Sequence, residues 1–223
     1  MFVHLENRAL LKITGSDSKS FLQAQLSNDI EKLDNSSIQL NAYCQHQGKI
    51  LALFWVMRCK DGFLLSFPLD LIEFIKPRLH MFVIMSDVTI DDVTSEYCQI
   101  GTIDETTENA YIINERLSLI ISNIDKITTY NIASLDNWKK ACIDSDLPEV
   151  SLITSEKLVP QMLNLDIDEV GVNFSKGCYP GQEVVARLHY LGSAKRRLFT
   201  FKSNKEINIG DSLYCSSSKS AKA

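Results

Sequence analysis

The apolar positions of this chain change period several times, and each change marks an element. Residues 9–13 alternate weakly and stop at Gly15, which reads as a strand ending in a turn. Ser16 or Asp17 can cap the helix that follows, whose inward face is Phe21, Leu22, Gln25 and Leu26. Residues 39–43 and 50–59 read as strands on either side of a turn at Gln47-Gly48, with the most apolar run of the chain in the second. Asp61-Gly62 is the strongest hairpin signal, returning into a strand over 63–67. Asp70 caps a second helix with Leu71, Ile72, Phe74 and Ile75 apolar, and Pro77 kinks or interrupts it because it has no N–H. A V-T-I alternation within 83–93, then 98–103 and 111–121, read as further strands. Ser134 opens a helix containing Trp138, Leu147-Pro148 ends it, and a loop-rich stretch runs to Asn173. Residues 197–202 and 212–215 read as two final strands. Strands and helices mix without a regular βαβ rhythm, so the expected fold class is α+β.

Composition narrows the setting more than the fold. At 223 residues the chain holds one large domain or one and a half smaller ones. A net charge of −5 excludes a strongly basic nucleic-acid binder, and the one dense basic run, Lys195-Arg196-Arg197, also suits a solvated strand start. The N-terminus lacks the pattern of a signal peptide and no apolar run is long enough to span a membrane. Six cysteines are scattered without a C-x-x-C pair, and the four histidines lie far apart, so no protein-built metal site is expected. No phosphate-binding glycine motif is present. A reducing, cytoplasmic setting is the expected one.

The stretch 173–187, N-F-S-K-G-C-Y-P-G-Q-E-V-V-A-R, carries the candidate chemistry. Gly177 and Gly181 permit positive φ or close backbone approach, Pro180 fixes its own φ, and a helix starts near Gln182. Cys178 therefore sits on a tight loop before a helix, where the dipole and the nearby Lys176 and Arg187 favour a thiolate. The same loop also reads as a tight turn whose cysteine fills a hole. His189 lies about three helical turns further on, ~16 Å along the axis, too far to serve as the base for Cys178. Glu183 is a closer partner, or simply a first-turn carboxylate on the dipole. Trp138 sits among polar neighbours, suited either to the core or to stacking on a flat heterocycle.

The octapeptide Lys176-Gly177-Cys178-Tyr179-Pro180-Gly181-Gln182-Glu183 resembles the K-G-C-Y-x-G-Q-E signature of the YgfZ family of folate-binding proteins, relatives of the glycine-cleavage aminomethyltransferase. Residues 10–29, 43–49, 159–165, Arg187 and 192–197 extend the resemblance over most of 8–215. It implies an aminomethyltransferase-like folate-binding body of mixed sheets and helices over 1–194, and the first strands of a small, incomplete C-terminal β-barrel over 195–223. It also implies a tetrahydrofolate-binding factor that supports iron–sulfur cluster assembly or repair, and through it tRNA-modifying enzymes, with Cys178 as the motif cysteine. Trp138 matches a folate-contacting tryptophan of the family, and Arg8 occupies a position that is usually aromatic. Trp138 would offer a stacking face, and Arg8, Lys49 and Arg187 would serve the anionic tail of folate in a central cavity near Cys178. The loop marks the branch that does not cleave glycine, so an accessory factor is expected rather than a classical transferase. The alternatives are a folate-dependent aminomethyltransferase, for which Asp29 is the candidate acid, and an inactive remnant.

Overall fold

The computed structural model describes residues 1–105, 107–192, 194–208 and 211. Strand β1 (Phe2–His4) leads into β2 (Arg8–Thr14), helix α1 (Ser18–Gln25) and strands β3 (Gln39–Cys44), β4 (Ile50–Cys59) and β5 (Gly62–Pro68). Helix α2 (Ile72–His80) is followed by β6 (Thr89–Asp92), β7 (Tyr97–Ile103), β8 (Tyr111–Ile112), β9 (Leu117–Asn123) and β10 (Ile132–Ala133). Helices α3 (Leu135–Asp144) and α4 (Gln182–Leu191) complete the order. The strands form two five-stranded sheets, β3-β4-β5-β2-β6 and β10-β1-β7-β9-β8. This is the α+β arrangement expected.

The unbroken apolar run of β4 has a simple cause: both faces of its sheet are covered. On one face Leu11, Phe54, Val56, Leu65 and Phe67 pack with Phe21 and Leu22 of α1 and Ile75 and Leu79 of α2. On the other, Leu10, Leu53, Trp55 and Met57 meet Ile103, Leu117 and Leu119 of the second sheet and Trp138 of α3. A polar relay crosses between the sheets here. Arg8 Nε donates to Ser66 Oγ at 2.8 Å, Ser66 Oγ donates to Gln99 Oε1 at 2.5 Å, and Gln99 Nε2 returns to the carbonyls of Arg8 and Ala9. Buried polar groups are thereby satisfied rather than stranded.

Several local expectations are corrected. The stretch 111–121 is two strands, because the Asn114 side chain accepts from the amides of Arg116 and Leu117 and turns the chain between β8 and β9. Asp70 does not cap α2; its carboxylate accepts from the Leu152 amide at 3.0 Å. Helix α2 runs through Pro77 to His80. In 83–93 the strand begins only at Thr89. Residues 197–202 form no strand: Arg197 pairs with Asp166, and Asn164 Nδ2 donates to the Leu198 carbonyl at 3.0 Å, so this segment is tied to the body by side chains. The strand expected over 212–215 lies outside the described residues.

Trp138 packs so closely on β7 that a Cβ built on Gly101 would lie 2.5 Å from its six-membered ring. Gly101→Ala is therefore expected to lower the unfolding free energy by about 2–3 kcal/mol through overpacking. Urea denaturation followed by tryptophan fluorescence checks this, and an unchanged midpoint would show that the ring moves aside freely.

Candidate functional site

The loop 173–181 is stitched between the end of α1 and the β3–β4 turn. The Asn173 amide donates to Ser27 O at 3.0 Å, and Ser27 Oγ donates to Gly171 O at 2.5 Å. Lys176 is buried, and its ammonium donates to the carbonyls of Gln23 (2.6 Å), Leu26 (2.5 Å) and Asn28 (3.0 Å). All three of its protons are committed to the exit of α1. Burial lowers its pKa to about 8, with Asp29 opposing. Tyr179 is buried under the same ammonium, 5.4 Å from ring centroid to Nζ, and burial raises its hydroxyl pKa.

On the other side the loop meets the β3–β4 turn backbone to backbone. Gly181 has φ +82°, and a Cβ there would lie 2.4 Å from Gln45 O and 2.8 Å from Gly48 Cα. Gly48, at φ +72°, is in turn against Val184. Gly181 is required because the backbone around it leaves no room for a side chain, and Gly48 because its positive φ disfavours one. From Gly181 the chain enters α4, with Val185 in the core and Gln182 and Glu183 in the first turn. Glu183 is exposed, as a dipole-complementing carboxylate is.

This leaves the outer part of the loop open. Cys178 is exposed, and nothing lies within 4 Å of a Cβ built on the neighbouring Gly177. The hole-filling reading of Cys178 is thus excluded. His189 is engaged elsewhere, stacked on Phe174 at 3.8 Å with Nδ1 4.0 Å from Asp166. Asp29 caps a short 3-10 helix, accepting from the Glu31 amide at 3.1 Å and from Gln23 Nε2 at 2.9 Å.

The remaining candidates divide in two. Lys49 follows Gly48 at the same turn, its Nζ 3.2 Å from Lys157 O, and Arg187 is exposed on α4. Arg8 and Trp138 form the other group. They gather around Trp55, about 16 Å along β4 from Ile50 at 3.3 Å per residue. The expectation of an open stacking face on Trp138 is corrected: the side chain is 4% exposed, with Gly101 against its ring and Trp55 edge-on at 6.1 Å. Arg8, also 4% exposed, stacks on Trp55 at 3.8 Å and pairs with Glu149 at 2.9 Å. Burial lowers the Arg8 pKa against the pull of Glu149, and raises that of the neighbouring Cys142 to about 12. Concavities of about 390 and 480 Å³ open elsewhere, and neither is lined by Cys178 or Trp138.

Sequence reasoning assigned no site role to two glutamines. Gln161 is 1% exposed; its Nε2 donates to Val185 O at 2.8 Å, beneath α4, while its Oε1 is buried with no partner among the described residues. Gln25, in the last turn of α1, likewise buries an unpartnered Oε1. Such acceptors cost free energy unless a donor meets them. No spacing rule gives them a ligand-binding role, although Gln25 stands on the predicted inward face of α1 and Gln161 in the P-Q-M-L-N-L segment that carries part of the resemblance.

No family model matches the chain. It is 30% identical over 220 residues to an uncharacterized protein of Haemophilus influenzae, covering 95% of this chain and 78% of that one. It is 29% identical to the tRNA-modifying protein YgfZ of Colwellia psychrerythraea, covering 92% and 72%, and 28% identical to that of Vibrio atlanticus, covering 89% and 68%. Among solved structures, the glycine cleavage system aminomethyltransferase T from Bartonella henselae superposes with a TM-score of 0.58 at 12% identity. That match covers 84% of this chain and 63% of the enzyme, and shows the fold alone.

Two measurements test the clamp and the glycine contact. The unfolded chain holds the lysine proton up to about pH 10.4, whereas folded Lys176 releases it near about 8. Below that value both states are protonated and the cost of the buried charge is present in full. Between the two values the unfolded state binds more protons, so this group's contribution to stability rises with pH. Carbon-13 NMR of the Lys176 Cε should titrate near 8; an ordinary lysine midpoint would show a solvated ammonium. Gly181→Ala should cost about 2 kcal/mol or more in urea, and Gly177→Ala less than about 0.5 kcal/mol; equal effects would refute the distinction between the packed and the open half of the loop.

Proposed function

Because the chain belongs to the YgfZ family and has an aminomethyltransferase-like fold, we propose that it binds tetrahydrofolate and supports the upkeep of iron–sulfur proteins that modify tRNA. The observation that carries this reading is the exposed Cys178 on a loop fixed from both sides by Lys176 and Gly181. A loop so anchored holds a thiol out to solvent at little conformational cost. One thiol cannot hold a cluster, which takes four ligands; it suits transient contact with a client's iron, sulfur or thiol.

The fit to folate rests on the unpartnered amide oxygens. The pterin edge carries N–H donors, and Gln161 Oε1 and Gln25 Oε1 are buried acceptors that lack one among the described residues. Lys49 at the β3–β4 turn and the exposed Arg187 on α4 are cations suited to the anionic tail. Bound tetrahydrofolate supplies a carrier for one-carbon units. Gln161 would orient the ring, Lys49 and Arg187 would hold the tail, and Cys178 would act separately on the client. Arg8 and Trp138 support the sheet beneath the site rather than forming its wall.

The aminomethyltransferase reading is favoured only by the shared fold, and Asp29, its candidate acid, is occupied as a cap. Calorimetric titration of tetrahydrofolate into the full chain should give saturable heat. Gln161→Leu, close to isosteric, should weaken it about tenfold, the loss of one buried hydrogen bond. Cys178→Ala should keep folate binding but fail to restore tRNA methylthiolation in cells lacking the native factor. Absence of heat with folded protein refutes the ligand, and full restoration by Cys178→Ala refutes the role of the thiol.

A further inference from the structure

The β4–β5 hairpin tip lies at the far end of β4 from Gly48, about 30 Å away for a ten-residue strand. It carries the concavity of about 390 Å³ lined by Asn35, Arg58, Cys59, Lys60 and Tyr111. Two of these side chains are cations and none is a carboxylate. The carboxylates nearest in sequence are committed elsewhere. Asp34 Oδ1 accepts from the amides of Ser36 at 2.7 Å and Ser37 at 2.8 Å, and Asp61 faces Lys12 at 3.5 Å.

Arg58 is also held in place. Its Nε donates to Leu33 O at 2.8 Å, its guanidinium carbon lies 5.5 Å from the Phe63 ring centroid, and Tyr111 Oη donates to its carbonyl at 2.7 Å. Both Nη atoms of Arg58 and Nζ of Lys60 have no protein partner among the described residues. A half-buried guanidinium fixed through Nε with its Nη pair unspent presents a fork for two oxygens of one anion. Lys60 adds a point charge and Asn35 an amide donor. The volume exceeds that of a bare oxyanion and falls in the range of small-ligand sites.

We propose that this concavity binds a small phosphate ester, with the phosphate between Arg58 and Lys60 and the esterified group against the Tyr111 ring. The site is separate from Cys178 and does not rest on the folate reading. The test is a proton–nitrogen NMR titration of the full chain with AMP, ribose 5-phosphate and inorganic phosphate at constant ionic strength. Expected are saturable shifts at Asn35, Arg58 and Lys60, with the esters binding more tightly than inorganic phosphate. Lys60→Gln, at an exposed position that leaves the fold intact, should weaken binding about tenfold, the loss of one charge-assisted contact. Arg58→Lys should weaken it similarly although it keeps the charge, and Cys178→Ala should leave it unchanged. The proposal is overturned by shifts that do not saturate, by sulfate or inorganic phosphate matching the esters, or by Lys60→Gln binding as the native chain does.

Discussion

Gly181 and Gly48 touch through their backbones, and the site exists because they do. The contact requires positive φ on both sides and excludes any side chain between them. It sets the height of the loop above the β3–β4 turn, and so the point at which α4 begins. Lys176 fixes the other end by spending its ammonium on three carbonyls at the exit of α1. Between these two anchors the Gly177-Cys178 step stands exposed. The exposed thiol is then a consequence of geometry, in contrast to the buried Cys44, whose pKa burial raises to about 12.

The same frame separates two buried polar arrangements with different roles. Around Trp55, Arg8 is stacked, hydrogen-bonded to Ser66 and paired with Glu149, which is 51% exposed. The guanidinium pays its desolvation through that network, and the network in turn ties β2 and β5 to β7 through Gln99. Beneath α4, Gln161 is held by one amide hydrogen bond and leaves its oxygen empty-handed. A satisfied group stabilises the fold; an unsatisfied one calls for a water, an ion or a ligand. On that criterion Gln161 and Gln25 near the loop await a donor, as does Asn7 next to Arg8, whereas Arg8 itself is satisfied.

Much of this was legible in the chain. The weak alternation of β2, the apolar run of β4, the Asp61-Gly62 turn and the inward face of α1 all stand where the pattern puts them, because both the turn chemistry and the burial agree there. The loop too was legible, since two glycines around a cysteine have few other uses. What was not legible were the long-range choices. Asp70 had a local helix to cap but met the Leu152 amide instead. Trp138 stood among polar neighbours yet turned to Gly101, a contact 37 residues distant in sequence. The strand-like run at 197–202 found Asp166 and Asn164 rather than a ladder. Local propensity is silent about partners that arrive from another part of the chain.

Strand β4 connects these observations physically. Buried on both faces and paired on both edges by β3 and β5, it is among the least deformable parts of the molecule. Its first residues carry the turn on which the Cys178 loop rests, and its last residues present Arg58 to solvent between Leu33 and Phe63. A rigid spine of this kind holds the two ends at a fixed separation without bringing their side chains into contact. Substitutions at one end should therefore be felt locally and not at the other, since distant sites without shared partners combine additively. The fold thus permits an exposed thiol and a cationic concavity to evolve and act independently on one scaffold.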